Sequence, residues 1–236
     1  LFTEACEEIA RAYDQLGHGI GWRFLASAQS TLAPSTPIAL ISMNPGGSFE
    51  PPDHGRESCE RGSAYIVESW AGCPPGEAPL QRQIRLLFAE LAEVQCADSS
   101  GDALLDASLS AYFVPFRSPS FDALAHQTRS LDFADRLWAR LFRNLDPKLI
   151  ITIDRQTTKR IARILKKKLH APPFTRSFAT GWGQVSADIV TFDGPEGARS
   201  ILRFPHLSRY KLFGRSKSAQ QIDQILQAVP GLSELR

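Results

Sequence analysis

Three short loops carry the residues best suited to chemistry. The first, Ser42-Met43-Asn44-Pro45-Gly46-Gly47, ends an apolar run and offers one amide, Asn44, beside two glycines that let another molecule approach the backbone closely. The second, Pro115-Phe116-Arg117-Ser118-Pro119, sets a cation between two prolines. The third, from Phe204 to Arg215, holds His206 and, beyond it, Leu207, Ser208, Arg209, Lys211 and Arg215. An amide can orient a water, an imidazole can donate or accept a proton near neutral pH, and clustered cations attract anions.

Each loop follows a segment that reads as a strand. Ile38 to Ser42, Leu109 to Phe116 and Leu149 to Ile153 are apolar and β-branched, and Asp154 caps the third. Val185 to Phe192 and Ala198 to Phe204 flank the turn signal Asp193-Gly194-Pro195-Glu196-Gly197, so they pair as a hairpin or run as sequential strands. Helical spacing marks Thr3 to Leu16 with Thr3 as N-cap, Pro79 to Val94, His126 to Asn144 and Thr157 to Leu169, with a last helix from Ser216 or Ser218 to about Val229. A further short helix is expected over Trp22 to Ala28. Alternating strands and helices predict an α/β fold, three-layer α/β/α around a central, mostly parallel four-stranded sheet, in a single domain spanning 1–236. Open parallel sheets bind ligands at the carboxyl ends of their strands, so the three loops are expected to share one cleft.

The chain has 236 residues, 43% of them hydrophobic, which suffices for a packed core. It contains no run long enough to span a bilayer and no charged-then-apolar leader, so a soluble, cytoplasmic monomer is expected. Cys6, Cys59, Cys73 and Cys96 form no C-x-x-C pair, although the last three could meet around an iron-sulfur cluster given a fourth ligand. The absence of a Walker lysine loop, G-x-G-x-x-G, a nucleophile elbow and H-E-x-x-H removes the common nucleotide, hydrolase and zinc-protease readings, and no cofactor or metal is expected. Residues 1–117 carry 7 basic and 15 acidic side chains, and residues 118–236 carry 20 and 10, so the second half is where an anionic partner would dock. On the helix at 157–169, Lys159, Arg160, Arg163 and Lys166 to Lys168 are either a solvated face or a nucleic-acid stripe. The polar segment Ser48 to Gly62 is long for a connection in a compact domain, so it is either functional or disordered.

A strand ending in Ser42-Met43-Asn44-Pro45-Gly46, combined with a late strand ending in a Pro/His/Ser loop, resembles the uracil-DNA glycosylase superfamily. The single-strand-selective and mismatch-specific branches are nearest, their first motif being Gly, an apolar residue, then Asn-Pro-Gly. The resemblance implies a base-flipping hydrolase of the N-glycosidic bond acting on DNA or another nucleic acid. Asn44 would hold the attacking water and His206 would assist the departing base, with Ser42, Met43, Pro45 and Gly46 around the base. Gly62-Ser63-Ala64-Tyr65 resembles the family's Gly-x-x-Phe, which would make Tyr65 the stacking ring. Leu207 to Arg215 would be the loop that probes DNA, with Leu207, Leu212 and Phe213 either wedges or anchors, and Arg117, Ser208, Arg209, Lys211 and Arg215 as nucleic-acid contacts. Two further positions expected in the base pocket, Tyr112 and Phe204, depart from the pattern. Phe204 stands where the family has His or Asn, and Tyr112 stands where it has the Asn that reads uracil. An enzyme for free nucleosides or nucleotides, or a binding module without catalysis, are the alternatives these departures leave open.

Overall fold

The structure, a computed structural model, describes residues 1–95, 99–194 and 197–234. Seven α-helices and six strands occur among them: α1 (Phe2–Leu16), β1 (Ile38–Ser42), α2 (Ala64–Val67), α3 (Pro79–Val94), α4 (Gly101–Ala107), β2 (Leu109–Tyr112), α5 (Gln127–Leu141), β3 (Leu149–Thr152), α6 (Arg155–Leu169), β4 (Phe174–Ala179), β5 (Ser186–Phe192), β6 (Arg199–Arg203) and α7 (Ser216–Gln227). They form one sheet in the order β2-β1-β3-β6-β5-β4. The first four of these strands run parallel, while β5 pairs antiparallel with both β6 and β4.

The expected four-stranded sheet is therefore a six-stranded one, four parallel strands extended by an antiparallel flank. Strand β4, FTRSFA, went unforeseen because it lacks an apolar alternation, and its Phe174 is left largely exposed. Its strand character comes from pairing with β5 rather than from its own pattern. The segments flanking the turn at 193–197 are antiparallel neighbours, as the hairpin alternative required, with Pro195 and Glu196 outside the described residues.

Strand β1 is buried along its whole length because both of its faces are covered. Ala39 and Ile41 belong to one core with side chains of α1, α5 and α6, and Ile38 and Leu40 to a second with those of α3 and α7. That alternation is the period of two expected of a pleated strand, and it makes the domain three layers deep. Trp138 of α5 stacks on Phe113 at 6.3 Å, and its indole N–H donates to the Phe113 carbonyl at 3.0 Å, which fixes the chain just beyond β2. At the opposite edge of the sheet Asp146 accepts from Arg199, Lys148 and Lys168, tying the start of β6 and the end of α6 to the turn before β3.

The segment from Trp22 to Ala28 is extended rather than helical. Bridges Trp22 to Phe116 and Leu25 to Ala111 lay it antiparallel along β2, and the loop at 56–59 pairs with its outer side through Phe24, Leu25 and Ser27. The β2 edge supplies backbone partners that a lone helical turn would lack, which outweighs the local helical pattern. The same pairing orders the later part of the 48–62 loop.

Candidate functional site

A cavity of about 950 Å3 opens at the carboxyl ends of the parallel strands. Its position follows from the topology, since β1, β2, β3 and β6 all end at the same edge of the sheet.

The loop after β1 is held by continued pairing. Phe113 N–H donates to the Ser42 carbonyl at 2.7 Å, Val114 N–H to Met43 at 2.8 Å and Ser118 N–H to Pro45 at 3.2 Å, so the first two chemical loops are laced together beyond the regular strands. Gly47 turns the chain at φ 104°, a conformation that costs other residues strain. Within this frame the Asn44 amide is locked. Its Nδ2 donates to Ser118 Oγ at 2.9 Å and to the Pro45 carbonyl at 3.2 Å, and the Ser118 hydroxyl spends its own proton on the Ser120 carbonyl at 2.7 Å. Ser118 Oγ can then only accept from Asn44, which fixes the nitrogen end of the amide. The oxygen end has no protein partner among the described residues, and Asn44 lines the cavity.

Arg117 enters from the other side of the same loop pair. Only 8% exposed, it donates from Nη1 to the Gly46 carbonyl at 2.5 Å, while its Nε is buried and has no partner among the described residues. Burial pushes its pKa down, with nearby Tyr112 opposing the shift. Tyr112 and Tyr65 are both buried cavity-lining residues whose hydroxyls are held protonated by burial. The Tyr65 hydroxyl lies 3.2 Å from Ser42 Oγ, and Trp70 meets the Tyr65 ring edge-on at 5.1 Å. Phe49, 70% exposed, stands at the rim.

Beside the aromatic wall lies a buried ion pair that sequence reading missed, its Arg23 being part of the cavity lining. Arg23 clasps Glu68 with two hydrogen bonds of 2.7 and 2.8 Å, and the Trp70 indole N–H donates to the same carboxylate at 2.9 Å. Burial opposes charge on both partners, but the forked hydrogen bonds outweigh it, so the Glu68 pKa ends below its ordinary value and that of Arg23 above. His54 Nδ1 sits 3.5 Å from Glu68, and burial keeps this imidazole below its usual pKa. A usable signal existed, for Arg23 and Glu68 are lone charges inside the apolar runs Trp22 to Leu25 and Tyr65 to Trp70.

Asp154, read only as a strand cap, also lines the cavity. One oxygen accepts from Thr157 N–H at 2.7 Å and caps α6, while Oδ2 is buried without a partner among the described residues. In the sheet register Asp154 lies between the Asn44 and His206 loops. His206 reaches the cavity rim as an exposed residue, its Nδ1 2.8 Å from Ser208 Oγ. Surrounding protein atoms lower its pKa, and Asp154 pulls the other way.

Ser42, Met43, Asn44, Gly46, Tyr65, Tyr112, Arg117 and His206 thus share one cavity. Pro45 is buried beneath the turn and does not line it. Phe204 is a correction to the expected base pocket: it is fully buried against Phe213, rings 5.2 Å apart, and faces the core. Leu207, Leu212 and Phe213 are buried too, so they anchor the loop rather than present a wedge. Ser208, Arg209 and Lys211 remain on the surface, and Arg215 stacks over Trp182 at 4.2 Å. The basic stripe of α6 points elsewhere. The amino end of that helix meets the cavity, which leaves Lys166 to Lys168 roughly 20 Å away along the axis. Arg160 and Lys168 are paired with Asp135 and Asp146.

Cys59 is buried beside Glu68 and Cys96 lies outside the described residues. Among the described residues no group of three His, Cys, Asp or Glu side chains could hold a metal ion, and no helix is long and apolar enough to cross a membrane. No family model matches the chain, and a search of curated proteins finds no match.

Proposed function

We propose that the protein hydrolyses an N-glycosidic bond, in the manner of a DNA glycosylase, with the base and its sugar bound in the cavity at the strand ends. The observation that carries this reading is the Asn44 amide. Its nitrogen is tied down by Ser118 and its oxygen is left for a ligand, in a cavity walled by aromatic rings. Such an oxygen can accept a hydrogen bond from a water and aim it at the sugar carbon. Breaking the bond leaves positive charge on the sugar and negative charge on the base. Asp154, which lines the cavity, supplies negative charge that favours the first; Arg117 is the cation available to the second. Neutral His206, at the rim, is a weaker donor to the base than Arg117. Exposed Arg155 at the cavity, and Arg209 and Lys211 on the surface of the loop after His206, suit a phosphate backbone.

A second reading, hydrolysis of free nucleosides or nucleotides, is favoured by the cavity volume, which accommodates more than one flipped base. Both are tested by incubating the protein with oligonucleotides that each carry one modified base, and with the corresponding free nucleosides, and measuring released base by chromatography. Release from oligonucleotides supports the first reading and release from nucleosides alone the second. No release from either set, with folded protein, defeats both.

A further inference from the structure

The deeply buried arginines of this protein follow a rule that one of them breaks. Arg23, Arg199 and Arg203 are each nearly inaccessible to solvent, and each meets a carboxylate: Glu68 at 2.7 Å, Asp146 at 2.5 Å and Asp188 at 2.7 Å. Arg117 is buried to a similar degree, yet no carboxylate lies within ion-pair reach among the described residues. Among the described residues the one hydrogen bond of its guanidinium goes to a neutral backbone carbonyl, and its Nε has no partner. A buried charge without a counter-charge is unfavourable, and a folded protein tolerates it where a ligand completes the pair.

The orphan lies in a built setting. The bond to Gly46 clamps the guanidinium to the Asn44 turn, so the cation cannot swing out to water without releasing that contact. Tyr112 lines the same floor, and its hydroxyl makes no protein hydrogen bond among the described residues. The surrounding wall is aromatic and suits a flat ring. We propose that Arg117 and Tyr112 form an oxyanion subsite, taking a negatively charged oxygen carried either on a heterocyclic base or on the phosphate of its nucleotide. This rests on the cavity being the substrate site, as in the function proposed above, but it concerns binding and does not need turnover.

The test is calorimetric titration of the full chain with two matched pairs, orotate against uracil and uridine 5′-monophosphate against uridine, with inorganic phosphate as a further probe. The anionic member of at least one pair is expected to bind at least tenfold more tightly than its neutral partner. The advantage should vanish in Arg117→Gln and survive in part in Arg117→Lys, both checked by circular dichroism and urea unfolding. An advantage for orotate alone assigns the charge to the base; one for the monophosphate and inorganic phosphate assigns it to the phosphate. Equal binding within both pairs overturns the subsite, as does an advantage that persists in Arg117→Gln. Should Arg117→Gln fail to fold, Tyr112→Phe serves in its place and is expected to reduce the advantage; an unchanged advantage in that variant overturns the subsite. Selective binding without base release from any oligonucleotide or nucleoside defeats the hydrolase reading and leaves the subsite standing.

Discussion

The ends of β1 and β6 open toward the same cavity, and on sequence they look equally chemical, yet the protein uses them differently. At the β1 end, laced to the loop after β2, the polar groups are oriented and left unfilled: among the described residues the Asn44 amide oxygen and the Arg117 Nε have no partner, and no carboxylate lies within ion-pair reach of Arg117. At the β6 end the side chains fill space. Phe204, Leu207, Leu212 and Phe213 are all buried, and only His206 reaches the rim. The difference teaches that a strand-end loop is poised for a ligand when its polar atoms are held by the protein at one end only. A loop whose bulky residues all turn inward is there to hold the frame.

Substitutions can break that contrast. The largest effect on stability is expected from Phe204→Ala, which should lower the free energy of unfolding by about 3–5 kcal/mol through lost burial and a residual cavity. Urea unfolding measures it, and a loss well under 1 kcal/mol would mean that the β6 end is not the packed one. In the same measurement Asn44→Ala should cost only about 1 kcal/mol, the size of its hydrogen bonds to Ser118 and the Pro45 carbonyl. If the two losses are alike, the contrast fails.

Acid should sharpen the comparison more gently. Glu68 behind the cavity and Asp146 at the far edge both have pKa values below the ordinary carboxylate range, because hydrogen bonds from Arg23 and from Arg199, Lys168 and Lys148 outweigh the opposing effect of burial. A carboxylate whose pKa is depressed on folding contributes stability that is complete above its unfolded value, about 4, and is lost as pH falls through the folded one. Unfolding midpoints in urea should therefore fall steeply below about pH 4, after a gentler decline from about pH 7 to 5 as the unfolded chain protonates His54 and His206, whose pKa values are lowered in the fold. In Glu68→Gln the fall should be shallower, since one of the two groups no longer titrates. A midpoint that rises on acidification would contradict the assignment.

The smallest effects on stability belong to the surface cations. Arg209→Gln and Lys211→Gln should each change stability by less than about 0.5 kcal/mol. If this loop meets phosphates, each should also reduce the salt dependence of oligonucleotide binding by about one in log–log slope, read by fluorescence anisotropy across a salt series. An unchanged slope would remove these residues from the interface.

Much of the frame was legible in the sequence. The apolar runs at 38–42 and 149–152 are buried on both faces, so their composition alone marks them as central strands. Asn44 was legible as a strand-end turn residue, a place that local chemistry alone favours for Asn, so only the fold shows that it lines the cavity. Strand β4 was not, because its identity resides in its partner. The extended course of Trp22 to Ala28 was set by the open edge of β2, a tertiary effect invisible to local pattern. Arg23 and Glu68 lie 45 residues apart in the chain, and their pairing shows only once both runs are folded against the same wall. Asp154 was seen in sequence, but only the fold reveals that the residue lines the cavity and that capping occupies one of its oxygens while the other is buried without a partner among the described residues.

The central claim is that the β1 end positions a water for cleavage of a glycosidic bond. Single-turnover base release from an oligonucleotide or nucleoside substrate, compared between the wild-type chain and Asn44→Ala, tests it most directly. Loss of the positioning amide is expected to slow release roughly 100- to 1,000-fold while leaving substrate affinity within a few-fold. Release by Asn44→Ala at the wild-type rate would contradict the account.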